Sequence, residues 1–422
     1  MLPRLYEPCA FCGGAHPTAK GTQMSELYKT EILKLAKAIY ESKKSVNYNP
    51  EMLKATAENF INAVRKGYGE SFVNADWNTP DKAMIDKLQQ NVWQFSAAKN
   101  YQQLRDIGGA MTDENGNLLE FSDFEEQVKN LNYKYNRTWL ETEYDNAISA
   151  ATSAAHWSEF EQNADTMPML QYQTIGDNKV REAHRLLNGT TKPINDTFWK
   201  TYYPPNGWRC RCEAIQLPTS SAKVVEPQGL PDVPQMFRTN LAQNGLIFPK
   251  GHPYFDGVPK DILRRSMQYI PQENAWNIRK EYEEHAMVQY EGEATENREI
   301  AKLLYESGER NIRLMPRLEE HEQEVRKIIY GEEYAQTHER KCPDSFIGNE
   351  ATEFKRCIRK QAKRRLEEAA QQANTALIEI TETMTQKDIN EFVAPKWQNK
   401  KCSNLIKILI INKGKVYKYQ RP

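Results

Sequence analysis

The chain has 422 residues, in which 57 lysine and arginine side chains balance 57 aspartates and glutamates. That length is too great for one compact core and suits two or three domains, while 39% hydrophobic and 10% aromatic residues exclude wholesale disorder. A neutral overall balance excludes a partner selected by bulk charge, so only local clusters can point to one.

The seven cysteines are Cys9, Cys12, Cys210, Cys212, Cys342, Cys357 and Cys402. An odd number spread over a long chain is not the framework of a small disulfide-stapled secreted domain, and a reducing interior is expected. No stretch approaches the roughly 20 apolar residues that span a bilayer, and none from Met1 to Tyr40 resembles a secretory leader. The expected site of synthesis and folding is a cytoplasm, with no membrane partner.

In chain order, residues 1–23 read as a flexible extension, because Met24 just before Ser25, a helix cap, is a natural start. The extension carries Cys9-x-x-Cys12 with His16, a zinc-knuckle spacing that offers only three ligands. Residues 24–165 predict helix after helix. Tyr28, Ile32, Leu35, Ala36 and Ile39 share one helical face, and Leu53, Ala57, Phe60, Ile61 and Val64 share another. Thr79 before Pro80 is an N-cap with proline at the first helical position. Ser122 and Glu125 suggest a capping box. The small residues from Ala147 to Trp157 suit close helix packing.

From 166 to 217 the texture changes to glycine, proline, asparagine and aromatic residues, which predicts a small, loop-rich α+β domain. Two cysteines one residue apart do not readily join each other, but Cys210 and Cys212 could both reach one zinc ion, with His184 as third ligand and Asp177 as fourth. They could equally be ordinary buried side chains beside a hydrogen-bonded core histidine. The text Gly176-Asp177, Arg181, His184, Leu187, Gly189, Pro193, Asp196, Phe198, Trp199, then Pro204-Pro205-Asn206-Gly207-Trp208-Arg209-Cys210-Arg211-Cys212 resembles the signature of the Mu F-like phage head-morphogenesis family. That resemblance implies a minor capsid protein of the virion head, near the portal vertex, partnered by portal and capsid proteins and made in a bacterial host.

Seven prolines between Pro218 and Pro259 predict an extended connector over 218–294, with Asn274 to Glu293 as a charged helical bridge. Residues 295–422 then alternate. Helices are expected at Glu296–Ser307, Ile358–Gln372 and Gln386–Val393. Strands are expected at Ile312–Met315, at Pro343–Lys355 around Gly348 and Asn349, at Thr375–Ile380, and as a pair from Ile406 to Tyr419. This interleaving predicts an α/β sandwich.

Here Pro343-Asp344 is followed by Glu353-Phe354-Lys355, which resembles the PD-(D/E)xK nuclease motif. The chemistry behind such a pattern is two carboxylates converging on Mg²⁺ or Mn²⁺, with Lys355 on the same strand face as Glu353 to position the nucleophile or neutralise developing charge. Glu299 on the preceding helix is a candidate additional acid. Arg356, Arg359, Lys360, Lys363, Arg364 and Arg365 form a basic run suited to the backbone of DNA or RNA. The layout is similar to the C-terminal tRNA-nuclease toxins of contact-dependent inhibition proteins. The whole predicts a multidomain chain: an all-α N-terminal region, a head-morphogenesis domain and an α/β nuclease-like domain. Two other functions fit the same residues: a purely structural head protein whose last domain is inert or only binds nucleic acid, and a prophage-derived nuclease effector.

Overall fold

The computed structural model describes residues 19–44, 46–76, 79–218 and 222–422, with side chains from residue 30 onward. The Cys9, Cys12 and His16 group lies outside the described residues. The chain divides into two compact units, residues 1–270 and 271–422.

The first unit is built on helices α1 (Ala19–Ser42), α2 (Pro50–Tyr68), α3 (Ser71–Asn74), α4 (Pro80–Gly109), α5 (Phe121–Tyr133) and α6 (Trp139–Gln162). Local chemistry sets their ends. The Asn49 side chain accepts from the Met52 N–H and the Thr79 hydroxyl from the Lys82 N–H, each ahead of a proline in the first turn. Two predicted starts are corrected. Helix α1 begins at Ala19, so it runs through the cap expected at Ser25 and into the stretch assigned to a flexible extension. Helix α5 begins at Phe121, ahead of Ser122, and has no side-chain cap; the Phe121 ring packs on Tyr40 at 5.2 Å, an aromatic anchor in place of a capping box.

The small-residue stretch of α6 does bring helices close. A Cβ added at Gly67 of α2 would stand 2.3 Å from the Ile148 carbonyl oxygen, and the Thr152 hydroxyl donates to the Gly67 carbonyl at 2.9 Å. Between α4 and α6 lies a buried ion pair, Lys99 with Glu143, both essentially without exposure. The Lys99 ammonium also donates to the Tyr135 carbonyl at 2.8 Å. Nearby His252 is pushed down to about 3 by burial and by the charge of Lys99, so it stays neutral.

After α6 come β1 (Met169–Gln173), α7 (Glu182–Arg185), β2 (Thr191–Pro193), α8 (Phe198–Tyr202) and β3 (Glu213–Leu217); the strands form an antiparallel sheet in the order β2-β1-β3. Helices α9 (Leu241–Asn244) and α10 (Lys260–Ser266) complete the unit. The proline-rich stretch after β3 is therefore not a free connector up to residue 270. Its Phe248 ring stacks on Phe95 at 3.6 Å, and Asn91 of α4 receives the Ile247 and Phe248 N–H groups at 2.8 and 2.7 Å while donating to the Phe248 carbonyl at 3.1 Å. Prolines deny this segment regular structure, but buried rings and one asparagine supply its anchorage.

The second unit opens with β4 (Trp276–Ile278) and β5 (Glu283–His285), where a charged helix was expected. The charge had a different use: Glu284 is buried and held bidentately by Arg298 at 2.6 and 3.2 Å, which lets an acid sit inside a strand. There follow α11 (Ala294–Glu306), β6 (Ile312–Leu314), α12 (Gln323–Tyr330), α13 (Glu332–Thr337), β7 (Ser345–Ile347), β8 (Glu350–Cys357), α14 (Ala362–Ala369), β9 (Thr375–Ile380), α15 (Gln386–Val393), β10 (Lys407–Asn412) and β11 (Lys415–Gln420). All eight strands form one sheet in the order β11-β10-β9-β8-β7-β6-β5-β4. Strands β6, β7 and β8 are antiparallel, β9 joins β8 in parallel, and β10 joins β9 in parallel.

Strand alternation splits the core in two. Phe354, Leu377, Leu409 and Ile411 pack with Ile300, Ala301 and Leu304 of α11. Cys357, Ile378, Ile380, Ile408 and Ile410 pack with Leu366 of α14 and Ile389 of α15. Residues 353, 355 and 357 of β8 thus face the α14 layer, and 354 faces α11.

Candidate functional site

Two groups of chemistry-bearing side chains emerge, one in each unit. In the first, α7 carries His184 inward and the turn before β3 brings Cys210 and Cys212 to it. His184 Nδ1 lies 3.7 Å from Cys210 Sγ and 3.5 Å from Cys212 Sγ. The three donor atoms lie within 4.8 Å of one another, the one group of three or more metal-ligating side chains among the described residues. Cys210 and His184 are buried and Cys212 is partly so; none of the described cysteines is in a disulfide. The hydrogen bond from Cys212, together with His184, holds the Cys210 thiol below its ordinary value against the opposing effect of burial. Asp177 is not a fourth member. Its carboxylate is exposed and takes both arms of Arg211 at 2.7 and 2.9 Å, because alternate residues of Cys210-Arg211-Cys212 turn opposite ways. Trp199 and Phe198 are buried core, and Trp208 packs edge-on to Phe237.

In the second unit the β7–β8 hairpin pairs Ser345 with Thr352, which sets Asp344 opposite Glu353. Asp344 is fixed by the Phe354 N–H, which donates to Oδ2 at 2.8 Å, and by its own carbonyl, which accepts from Met315 N at 3.0 Å. Glu353 Oε1 accepts from Lys355 and, at 2.8 Å, from the Gln372 amide. Its other oxygen, Oε2, is buried with no hydrogen-bond partner among the described residues. Burial raises the Asp344 carboxyl, and burial together with the charge of Asp344 pushes Glu353 up to about 8. The arrangement is a pair of crowded acids with one lysine beside them and one oxygen to spare.

Several side chains of this site gave no signal in sequence. Arg317 approaches Asp344 Oδ1 at 3.9 Å. Arg326, fully buried, donates to the carbonyls of Leu318, His338 and Lys341, and so fixes the loop that delivers Asp344. Tyr334 donates to the Gln372 carbonyl at 2.6 Å. Gln372 was expected only as the last residue of a helix.

Two expectations do not hold. Glu299 sits on α11, the layer opposite to Glu353 and Lys355, and its partner is Arg356 at 3.7 Å. It is therefore not part of the acid pair. The basic run is largely matched by acids: Arg356 with Glu379, Arg359 with Asp388, and Arg364 and Arg365 with Glu368. Lys360 and Lys363 make no ion pair among the described residues. A run counted as a basic face in sequence is mostly a set of surface ion pairs.

Among the described residues no helix is long and apolar enough to cross a membrane. No solved structure matches the chain. Similar proteins include the Mu-like prophage FluMu F protein of Haemophilus influenzae, 29% identical over 179 residues, which are 42% of this chain and 36% of that protein. Another is the putative capsid assembly protein F of Escherichia phage Mu, 34% identical over 84 residues, which are 20% of this chain and 19% of that one. The matched stretches thus span about a third and a fifth of those relatives. The family model described as Phage Mu protein F like protein matches residues 114–215. It begins well before the loop-rich segment and takes in α5, α6, β1, β2 and the start of β3, so helices and cysteine cluster fall within one matched segment. Over those residues, which include His184, Cys210 and Cys212, the chain is similar to Mu F-like proteins.

Proposed function

We propose that the chain is a capsid-assembly protein of the phage head, placed near the portal vertex, whose second unit is a metal-dependent phosphodiesterase acting on DNA or RNA. The first half of this reading rests on the Mu F-like segment and on relatives named for prophage F protein and capsid assembly. The second rests on one observation: two buried carboxylates set opposite each other on a hairpin, with Glu353 Oε2 unpartnered.

Two hard oxygen ligands and a spare buried oxygen fit Mg²⁺ or Mn²⁺, since burying like charges is unfavourable unless a cation joins them. Asp344 and Glu353 would hold it, and when bound it would polarise the scissile phosphate and acidify water. The protein supplies the rest. The Phe354 N–H fixes Asp344, and Gln372 fixes one oxygen of Glu353, which leaves the other available. Lys355 places an ammonium beside the acids, where charge builds on the phosphate in the transition state. Arg317 offers a second positive group on the Asp344 side.

The test uses the full-length chain with Asp344→Ala and Glu353→Ala variants, incubated with single-stranded DNA, duplex DNA and tRNA, with Mg²⁺ or with chelator. Metal-dependent cutting lost in both variants supports the nuclease. A metal-loaded wild type that cuts none of the three leaves a purely structural head protein. Copurification with capsids, and its loss on removing residues before about 160, tests the placement and separates it from a released effector.

A further inference from the structure

We infer that His184, Cys210 and Cys212 bind one zinc ion that fastens the loop-rich segment between β1 and β3, with solvent completing the fourth position. The geometry carries the argument. Zinc bonded to sulfur at about 2.3 Å and to imidazole nitrogen at about 2.05 Å in a tetrahedron gives sulfur–nitrogen edges of about 3.6 Å. The observed edges are 3.5 and 3.7 Å. Imidazole Nδ1 has a single in-plane site, a proton or a lone pair, so as hydrogen bonds the two contacts would have to share it as a weak bifurcated pair. All three donor atoms lie within 4.8 Å of one another, close enough for one metal ion to take a lone pair from each.

The surroundings agree. Residues 174–212 contain only α7, β2 and α8, of four, three and five residues, so regular hydrogen bonding does little to hold this excursion. The cluster ties its first helix to its last turn, the position at which a cross-link removes most loop freedom. Asp177 is committed to Arg211 and leaves three protein ligands. The inference does not depend on the nuclease reading, since all three ligands lie in the first unit.

The experiment measures metal in the full-length chain carrying Cys9→Ser and Cys12→Ser, which removes the other cysteine pair able to take up zinc. We expect about one equivalent of zinc per chain, falling to near zero on adding Cys212→Ser. Replacing zinc with Co²⁺ should give thiolate-to-cobalt charge-transfer bands in the Cys9→Ser/Cys12→Ser chain that disappear with Cys212→Ser. If that variant misfolds, the Co²⁺ titration of the Cys9→Ser/Cys12→Ser chain alone decides. A folded Cys9→Ser/Cys12→Ser chain that contains no zinc and shows no such bands with stoichiometric Co²⁺ overturns the assignment and leaves a packed, metal-free cluster.

Discussion

Two of the buried pairs of titratable side chains in the chain are opposites. Lys99 and Glu143 are of opposite sign, touch each other, and have further partners in Tyr135 and the neighbouring aromatic rings. Asp344 and Glu353 are of like sign and leave one oxygen unpartnered. A closed pair holds helices in place; the open pair of acids leaves a buried oxygen without a partner among the described residues. The difference teaches that burial of charge is not by itself a mark of function. What matters is whether the charges present satisfy one another.

The largest expected effect breaks the open pair. Asp344→Ala or Glu353→Ala should lower metal-dependent cleavage by on the order of 10³-fold while circular dichroism stays unchanged. Breaking the closed pair should do the reverse. Lys99→Met strands a buried carboxylate and should cost roughly 3–5 kcal/mol in chemical denaturation, and Lys99→Met with Glu143→Leu should recover most of it. Full recovery of stability by the single variant would mean that the pair is not structural.

A smaller effect should appear with pH. Glu353 keeps its proton to about 8 when folded, against 4.5 ordinarily. Between those values the folded chain binds more protons than the unfolded, so stability of the second unit falls as pH rises through that window. In chelator, wild type should lose roughly 2–4 kcal/mol relative to Glu353→Gln between pH 4.5 and 8, and Mg²⁺ should restore it. Parallel pH curves for the two proteins would remove the crowded-acid account. The smallest effect is a control: Arg364→Ala, in an exposed pair with Glu368, should change stability by less than about 1 kcal/mol.

Much of the second unit was legible because hairpin and strand signals are local. Gly348 with Asn349 marks the β7–β8 turn, apolar runs mark β9 and β10, and the two-residue spacing of Glu353 and Lys355 fixes a shared face whatever the rest of the fold does. What failed was whatever depended on distant partners. Glu299 lies on the wrong layer, which only the packing of α11 reveals. Arg326 serves carbonyls up to 15 residues away, and no spacing announces that. The basic run looked free because its acids, Glu379 and Asp388, arrive from later elements. In the first unit, His184, Cys210 and Cys212 could be grouped in advance, since few residue types share their chemistry. Asp177 was wrongly added because an acid near cysteines and a histidine looks like a ligand until its arginine is seen.

The anchorage of residues 247–256 on α4 has a consequence for the order of events on the ribosome. Asn91 closes on Phe248 across 157 positions of sequence, and Gln102 donates to the carbonyls of Tyr254 and Asp256 across 152 and 154. The helices emerge first, but the interior they share cannot be completed until that late segment has been translated. A nascent chain arrested after β3 should therefore hold its helices only loosely and stay open to protease. Extension past residue 256 should bring protection in one step, so this half of the protein finishes folding as the other half begins to be made.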